Sequence, residues 1–104
     1  MDDTSAAISD ERGIYGIAVA AELTGLNEQS LRLYERRGLL TPERTPGGTR
    51  RYSRGDLARL RRVSALLSDG LNLVGIAMVM ELEDVNAGLR GELDRQREVD
   101  LGAR

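Results

Sequence analysis

The stretch that decides the fold runs from Asn27 to Tyr52, NEQSLRLYERRGLLTPERTPGGTRRY. Asn27 suits a helix N-cap, because its side-chain oxygen accepts one of the backbone N–H groups that a first helical turn leaves free. Steps of about 100° from Glu28 set Ser30, Leu31 and Tyr34 on one face. Glu28, Gln29, Arg32 and Arg36 fall opposite, with Leu33 at the margin. The spacing therefore predicts a short helix, apolar inside and arginine-rich outside, that stops at Gly38 in left-handed backbone. Arg36 and Arg37 fall in its last turn, where cations meet the negative end of the helix dipole. Thr41-Pro42 then opens an extended segment, Pro46-Gly47-Gly48 supplies a turn, and Thr49-Arg50-Arg51-Tyr52 returns as a strand. Alternation puts Arg50 and Tyr52 on one face of that strand and Thr49 and Arg51 on the other.

Upstream, residues 1–13 lack apolar periodicity and are expected to form a disordered or loosely held arm. From Tyr15 onward, Ile17, Ala20, Ala21 and Leu23 predict a short helix that Gly25 stops. Two short helices joined by a tight turn, the second polar outside, form a helix-turn-helix, and the hairpin beyond them forms a wing. Downstream, Ser53 and Asp56 form a capping box for a third helix. Its buried stripe is expected at Leu57, Leu60, Val63 or Ala65, and Leu67, with Arg54, Arg59, Arg61 and Arg62 exposed and Asp69-Gly70 as the stop. Asn72 caps a fourth helix that begins LVGIAMVMEL, apolar nearly all round. Such a helix is expected to be buried on more than one side, in part by another subunit.

Leu82, Val85, Leu89 and Leu93 follow at three- and four-residue steps, a seam for a dimer interface. Gly88 and Gly91 weaken that seam, each by about 1 kcal/mol relative to alanine. The tail, DRQREVDLGAR, is expected to fray. The expected organisation is an arm over 1–13, a winged helix-turn-helix over 14–82, and a C-terminal dimerisation helix with a frayed tail over 83–104.

The 104 residues suffice for one small core and contain neither cysteine nor histidine. Disulfides and thiolate metal sites are thereby excluded, and the commonest general base and metal ligand are missing. No glycine-rich phosphate loop accompanies the acids, so the expectation is a protein that is not an enzyme and has no cofactor or metal. The polar N-terminus and the lack of a long apolar run point to a cytoplasmic protein without membrane contact. The net charge of −2 hides a segregation: residues 27–62 carry ten arginines against four acids, +6, while the segments on either side carry −4 each. The arginines lie on a helix, a hairpin and the start of the next helix. That local patch is the electrostatic footprint of a double-stranded DNA partner.

The runs YGIAVAAELTGLNEQSLRLYERRGLL, TPERTPGGTRRYSRGDLARL and LLSDGLNLVGIAMVMEL resemble the MerR family of bacterial transcription regulators over about residues 15–82. The likeness is strongest to the actinobacterial heat-shock repressor branch. The resemblance implies a mostly α winged helix-turn-helix with a small β-hairpin wing and a C-terminal dimerisation helix. It implies a homodimer on an inverted repeat, with the second helix in the major groove. At matching positions Glu28, Gln29, Arg32 and Leu33 would face the bases, with Tyr34 and Arg36 beside them. Arg50, Tyr52 and Arg51 would meet phosphate from the wing. Leu33 replaces the first of two tyrosines common in the family, a departure shared with the heat-shock branch. Metal- and oxidant-sensing members use cysteines that this chain lacks. The resemblance further implies a repressor of heat-shock genes with a DnaK-type chaperone as co-repressor. The rival expectation is a MerR-like protein-binding adaptor or chaperone modulator that does not depend on DNA.

Overall fold

The computed structural model describes residues 9–102. In chain order these form α1 (Ile17–Thr24), α2 (Glu28–Arg36), β1 (Glu43–Arg44), β2 (Arg50–Arg51), α3 (Arg54–Ser68) and α4 (Leu73–Gly102). The chain divides into two units, one ending at Leu71 and one beginning at Asn72.

The local signals set the element ends. Asn27 Oδ1 accepts the Ser30 N–H at 2.8 Å and starts α2. Ser53 and Asp56 close a reciprocal capping box at the head of α3, with bonds of 2.9 Å each way. Asn72 Oδ1 accepts the Gly75 N–H at 2.8 Å at the head of α4. At the end of α2, Gly38 adopts φ 76°, its N–H donates to the Glu35 carbonyl at 3.0 Å, and the Leu39 N–H reaches back to Tyr34 at 2.9 Å. This pair of bonds is the Schellman ending, which needs a residue free to enter the left-handed region. The Gly-Leu pairs at 25–26 and 70–71 close α1 and α3 by the same two bonds.

The core of the first unit joins Ala20 and Ala21 of α1, Leu31 and Tyr34 of α2, Leu39 and Leu40, Tyr52, and Leu57, Leu60, Val63 and Leu66 of α3. Alanines on the buried side of α1 let it pack closely on both α2 and α3. Two details of the expected pattern change. Leu66, not Ala65 or Leu67, completes the buried stripe of α3, because the helix keeps a strict three-residue step from Leu57. Leu23 of α1 is exposed.

The wing is a two-stranded antiparallel hairpin with Glu43 opposite Arg51 and Arg44 opposite Arg50. Its turn is closed by the Thr45 N–H on the Thr49 carbonyl and the Gly48 N–H on the Thr45 carbonyl, both at 2.8 Å. At the root of the wing, Tyr52 pairs with Tyr15 in an antiparallel bridge. The segment before α1 is therefore not a loose arm over residues 9–13. The Gly13 N–H donates to Glu43 Oε1 at 2.7 Å, and the Asp10 carbonyl accepts the Gly55 N–H at 2.8 Å. Residues 1–8 lie outside the described residues, as do Ala103 and Arg104 of the tail.

In the second unit, α4 is a single helix of 30 residues, about 45 Å long at 1.5 Å per residue. The tail expected to fray from Asp94 onward is helical as far as Gly102. Polar side chains at three- and four-residue steps, such as Glu92 with Arg95 and Asp94 with Arg97, face one another there and suit a solvated helix. At the start of α4, Ile76 and Met80 are buried, while Val74 and Met78 are exposed in the single chain. Among the described residues no helix is long and apolar enough to cross a membrane.

Candidate nucleic-acid interface

The outer face of α2 carries Gln29 and Arg36 exposed, with Glu28, Arg32 and Leu33 half-buried. Together with Asn27 and Ser30, these side chains (Glu28 apart) line a shallow open depression along the helix. Arg32 leans along the helix axis toward Glu28, with 3.4 Å between Nη2 and Oε1 and about two-fifths of each side chain exposed. A solvated i,i+4 pair of this kind contributes only about 0.3–0.5 kcal/mol, so the guanidinium is easily redirected to another acceptor. The ridge offers an amide, a guanidinium and an apolar edge side by side, the groups that read base edges in a major groove.

The wing stands next in the chain and is tied to α2 by one carboxylate. Glu35 receives Arg50 Nε on Oε1 at 2.5 Å and Arg44 Nη2 on Oε2 at 2.8 Å. Partial burial pushes the Glu35 carboxyl upward, but the hydrogen bonds and charges of Arg50 and then Arg44 outweigh it and hold it below its ordinary range. The hydrogen bond to Glu35 likewise raises the Arg50 guanidinium. Arg44 also donates through Nη1 to the Gly48 carbonyl at 3.0 Å, stiffening the turn. Arg51 points the other way, half-buried, beside Gly16. Arg36, Arg37 and Arg54 are exposed and form no ion pair among the described residues.

The two tyrosines expected to meet DNA belong to the core instead. Tyr52 is fully buried and Tyr34 is 5 % exposed. The strand alternation that puts Tyr52 with Arg50 holds, but Tyr52 sits at the root of the wing, bridged through its backbone to Tyr15, and its side chain lies in the core. Its hydroxyl is buried without a protein partner, and burial raises its pKa. Residues missed by the sequence reasoning are Glu35 and Arg44 of the clasp, and Arg59, whose Nε donates to the Leu39 carbonyl beyond α2. Glu35 is one of four acids in the arginine-rich segment, and nothing local in the sequence singles it out. The four residues expected at a dimer interface, Leu82, Val85, Leu89 and Leu93, are all exposed along α4.

A helix pair with a glycine-stopped second helix, followed by an arginine hairpin, defines a winged helix-turn-helix. Residues 15–83 match the family described as MerR HTH family regulatory protein, and the chain belongs to that family. A Streptomyces coelicolor protein that carries the name heat shock protein HspR is 46 % identical over 84 residues, covering 80 % of this chain and 56 % of that protein. The chain thus spans just over half the length of this relative. Two solved structures share the fold. A MerR-family transcriptional regulator from Bacillus cereus has a TM-score of 0.63 at 30 % identity, covering 85 % of this chain and 67 % of the other. HiNmlR, a MerR-family regulator lacking the sensor domain and bound to promoter DNA, has a TM-score of 0.60 at 31 % identity, covering 79 % and 65 %.

Proposed function

We propose that this chain is a cytoplasmic, sequence-specific DNA-binding transcription regulator that represses heat-shock or chaperone-type genes by occupying an inverted-repeat operator as a homodimer. The observation that carries the proposal is the ridge of Gln29, Arg32, Leu33 and Arg36 on the outer face of α2, inside a segment of net charge +6 that continues into the wing. In this reading Gln29 and Arg32 meet base edges, Leu33 meets an apolar base edge, and Glu28 sets the resting position of Arg32. Arg36, with Arg51 on the wing, lies toward the phosphates, while Arg50 is engaged by Glu35. Tyr34 and Tyr52 support both elements from within the core. The exposed seam of Leu82, Val85, Leu89 and Leu93 supports pairing of α4 with a second copy. A dimer would meet two major grooves about 34–36 Å apart, which is why the operator is an inverted repeat. The heat-shock assignment rests on the HspR relative, and a DnaK-type chaperone as co-repressor on the resemblance to the heat-shock repressor branch.

Selection of bound duplexes from a random pool tests the proposal directly. The expected product is an inverted repeat with half-sites one helical turn apart, and its affinity falls steeply with salt as phosphates exchange counterions for arginine. An Arg32→Ala variant should lose about 1–3 kcal/mol of discrimination at one base pair of each half-site in gel-shift titrations. Enrichment of no sequence, with no salt-sensitive shift, would sink the proposal.

A further inference from the structure

Within the segment of ten arginines, Glu35 uses both carboxylate oxygens on the two strands of the wing: Oε2 on Arg44 of β1 and Oε1 on Arg50 of β2. Its side chain is 19 % exposed and that of Arg50 27 %, so the contact is partly shielded from water. The neighbouring Arg36 and Arg37, on the same last turn, are exposed and unpaired among the described residues. Arg36 and Arg37 are therefore free to exchange counterions, whereas Arg44 and Arg50 are already paired with Glu35, Arg44 with 45 % of its side chain exposed.

We infer that Glu35 is a positioning residue for DNA recognition, one that fixes the wing against α2 and withholds Arg44 and Arg50 from the phosphate backbone. A charge spent on an internal carboxylate contributes nothing to sequence-independent attraction, because counterion release counts only the phosphates that a protein neutralises. The wing is then placed by geometry that the protein sets in advance, and discrimination between operator and other DNA gains at the expense of indiscriminate grip. This rests on the DNA-binding reading above.

The test compares the full-length wild type, Glu35→Gln, and Glu35→Gln combined with Arg44→Gln and Arg50→Gln. Each is titrated against a mixed-sequence duplex and against the duplex that the wild type selects, over a range of salt. Release of two arginines should steepen the slope of log affinity against log salt by up to about 1.8 for Glu35→Gln. Affinity for mixed-sequence DNA should rise at low salt, and the ratio of selected to mixed affinity should fall. The triple variant should return the slope to the wild-type value. Loosening of the wing alone would do the opposite, weakening both duplexes with a shallower or unchanged slope, and that outcome overturns the withholding role. Amide hydrogen exchange without DNA tests the clasp separately: the Arg44 and Arg50 N–H groups should exchange faster in Glu35→Gln, and equal rates overturn the positioning role. A wild type that binds neither duplex refutes the DNA reading itself, whatever the exchange rates show.

Discussion

Up to Leu71 the described chain buries eleven apolar side chains and leaves four large ones exposed, whereas α4 buries only Ile76 and Met80 and exposes eight. The first unit reaches that balance with three short helices and a hairpin: α1 packs on both α2 and α3, and Asn27 and Ser53 cap the second and third helices locally. A single helix has no second face of its own to close upon. Exposed apolar side chains at 82, 85, 89 and 93 form a continuous stripe, the kind of surface that a partner covers. Under the proposed function a second copy covers the stripe of α4.

A substitution in each region breaks the comparison if the two are not separable in this way. Leu60→Ala empties a fully buried site in the first unit. It should cost about 2–5 kcal/mol in chemical denaturation. Sedimentation should still report a dimer at temperatures where the variant stays folded. Leu89→Asp should do the reverse, giving a monomer by sedimentation with an unchanged near-ultraviolet spectrum. Operator affinity should fall about 100-fold, because a second half-site no longer arrives with the first. If Leu89→Asp remains a dimer, the stripe is not the interface.

Within the first unit, Gly13→Ala examines the crossing at the wing root. A Cβ there would lie 2.5 Å from the Arg51 carbonyl oxygen and 2.9 Å from Glu43 Oε1. Relief of that clash should cost about 1–3 kcal/mol, read as a drop in Tm. The smallest effect belongs to the clasp. The folded Glu35 carboxyl titrates below its ordinary range, so its contribution is present above the unfolded value of about 4.3 and is lost as pH falls through the folded one. Thermal melts of Glu35→Gln should therefore differ most from wild type near neutral pH and converge in acid. A gap that persists in acid would mean that packing, and not charge, is what the substituted glutamine fails to replace.

Asn27, Ser53 and Asn72 are legible as caps because a cap is a contact among neighbours three residues apart. The Gly38 stop and the Pro46-Gly47-Gly48 turn are legible for the same reason, and with them the order of helices and wing. Tyr52 shows where that reach ends. Strand alternation puts it with Arg50, but it is buried, and its bridge partner is Tyr15, 37 positions away in the chain. The Glu35 clasp spans 9 and 15 positions, and no local pattern pairs one acid with two particular arginines among ten. Leu66 against Leu67 turns on a single step of helix phase, which packing of α3 decides. The apolar start of α4 shows only that the helix has more apolar surface than one side needs.

The placement of the aromatic residues separates the two units optically. The chain has three tyrosines and neither tryptophan nor phenylalanine. Tyr15, Tyr34 and Tyr52 all precede Leu71, and two of them are in the core. Tyrosine emission and near-ultraviolet dichroism therefore report the first unit alone, without any label. Helical dichroism draws close to half its amplitude from the 30 residues of α4. Followed together through one unfolding experiment, the two signals coincide if the chain melts as a single cooperative body and part if α4 comes loose first.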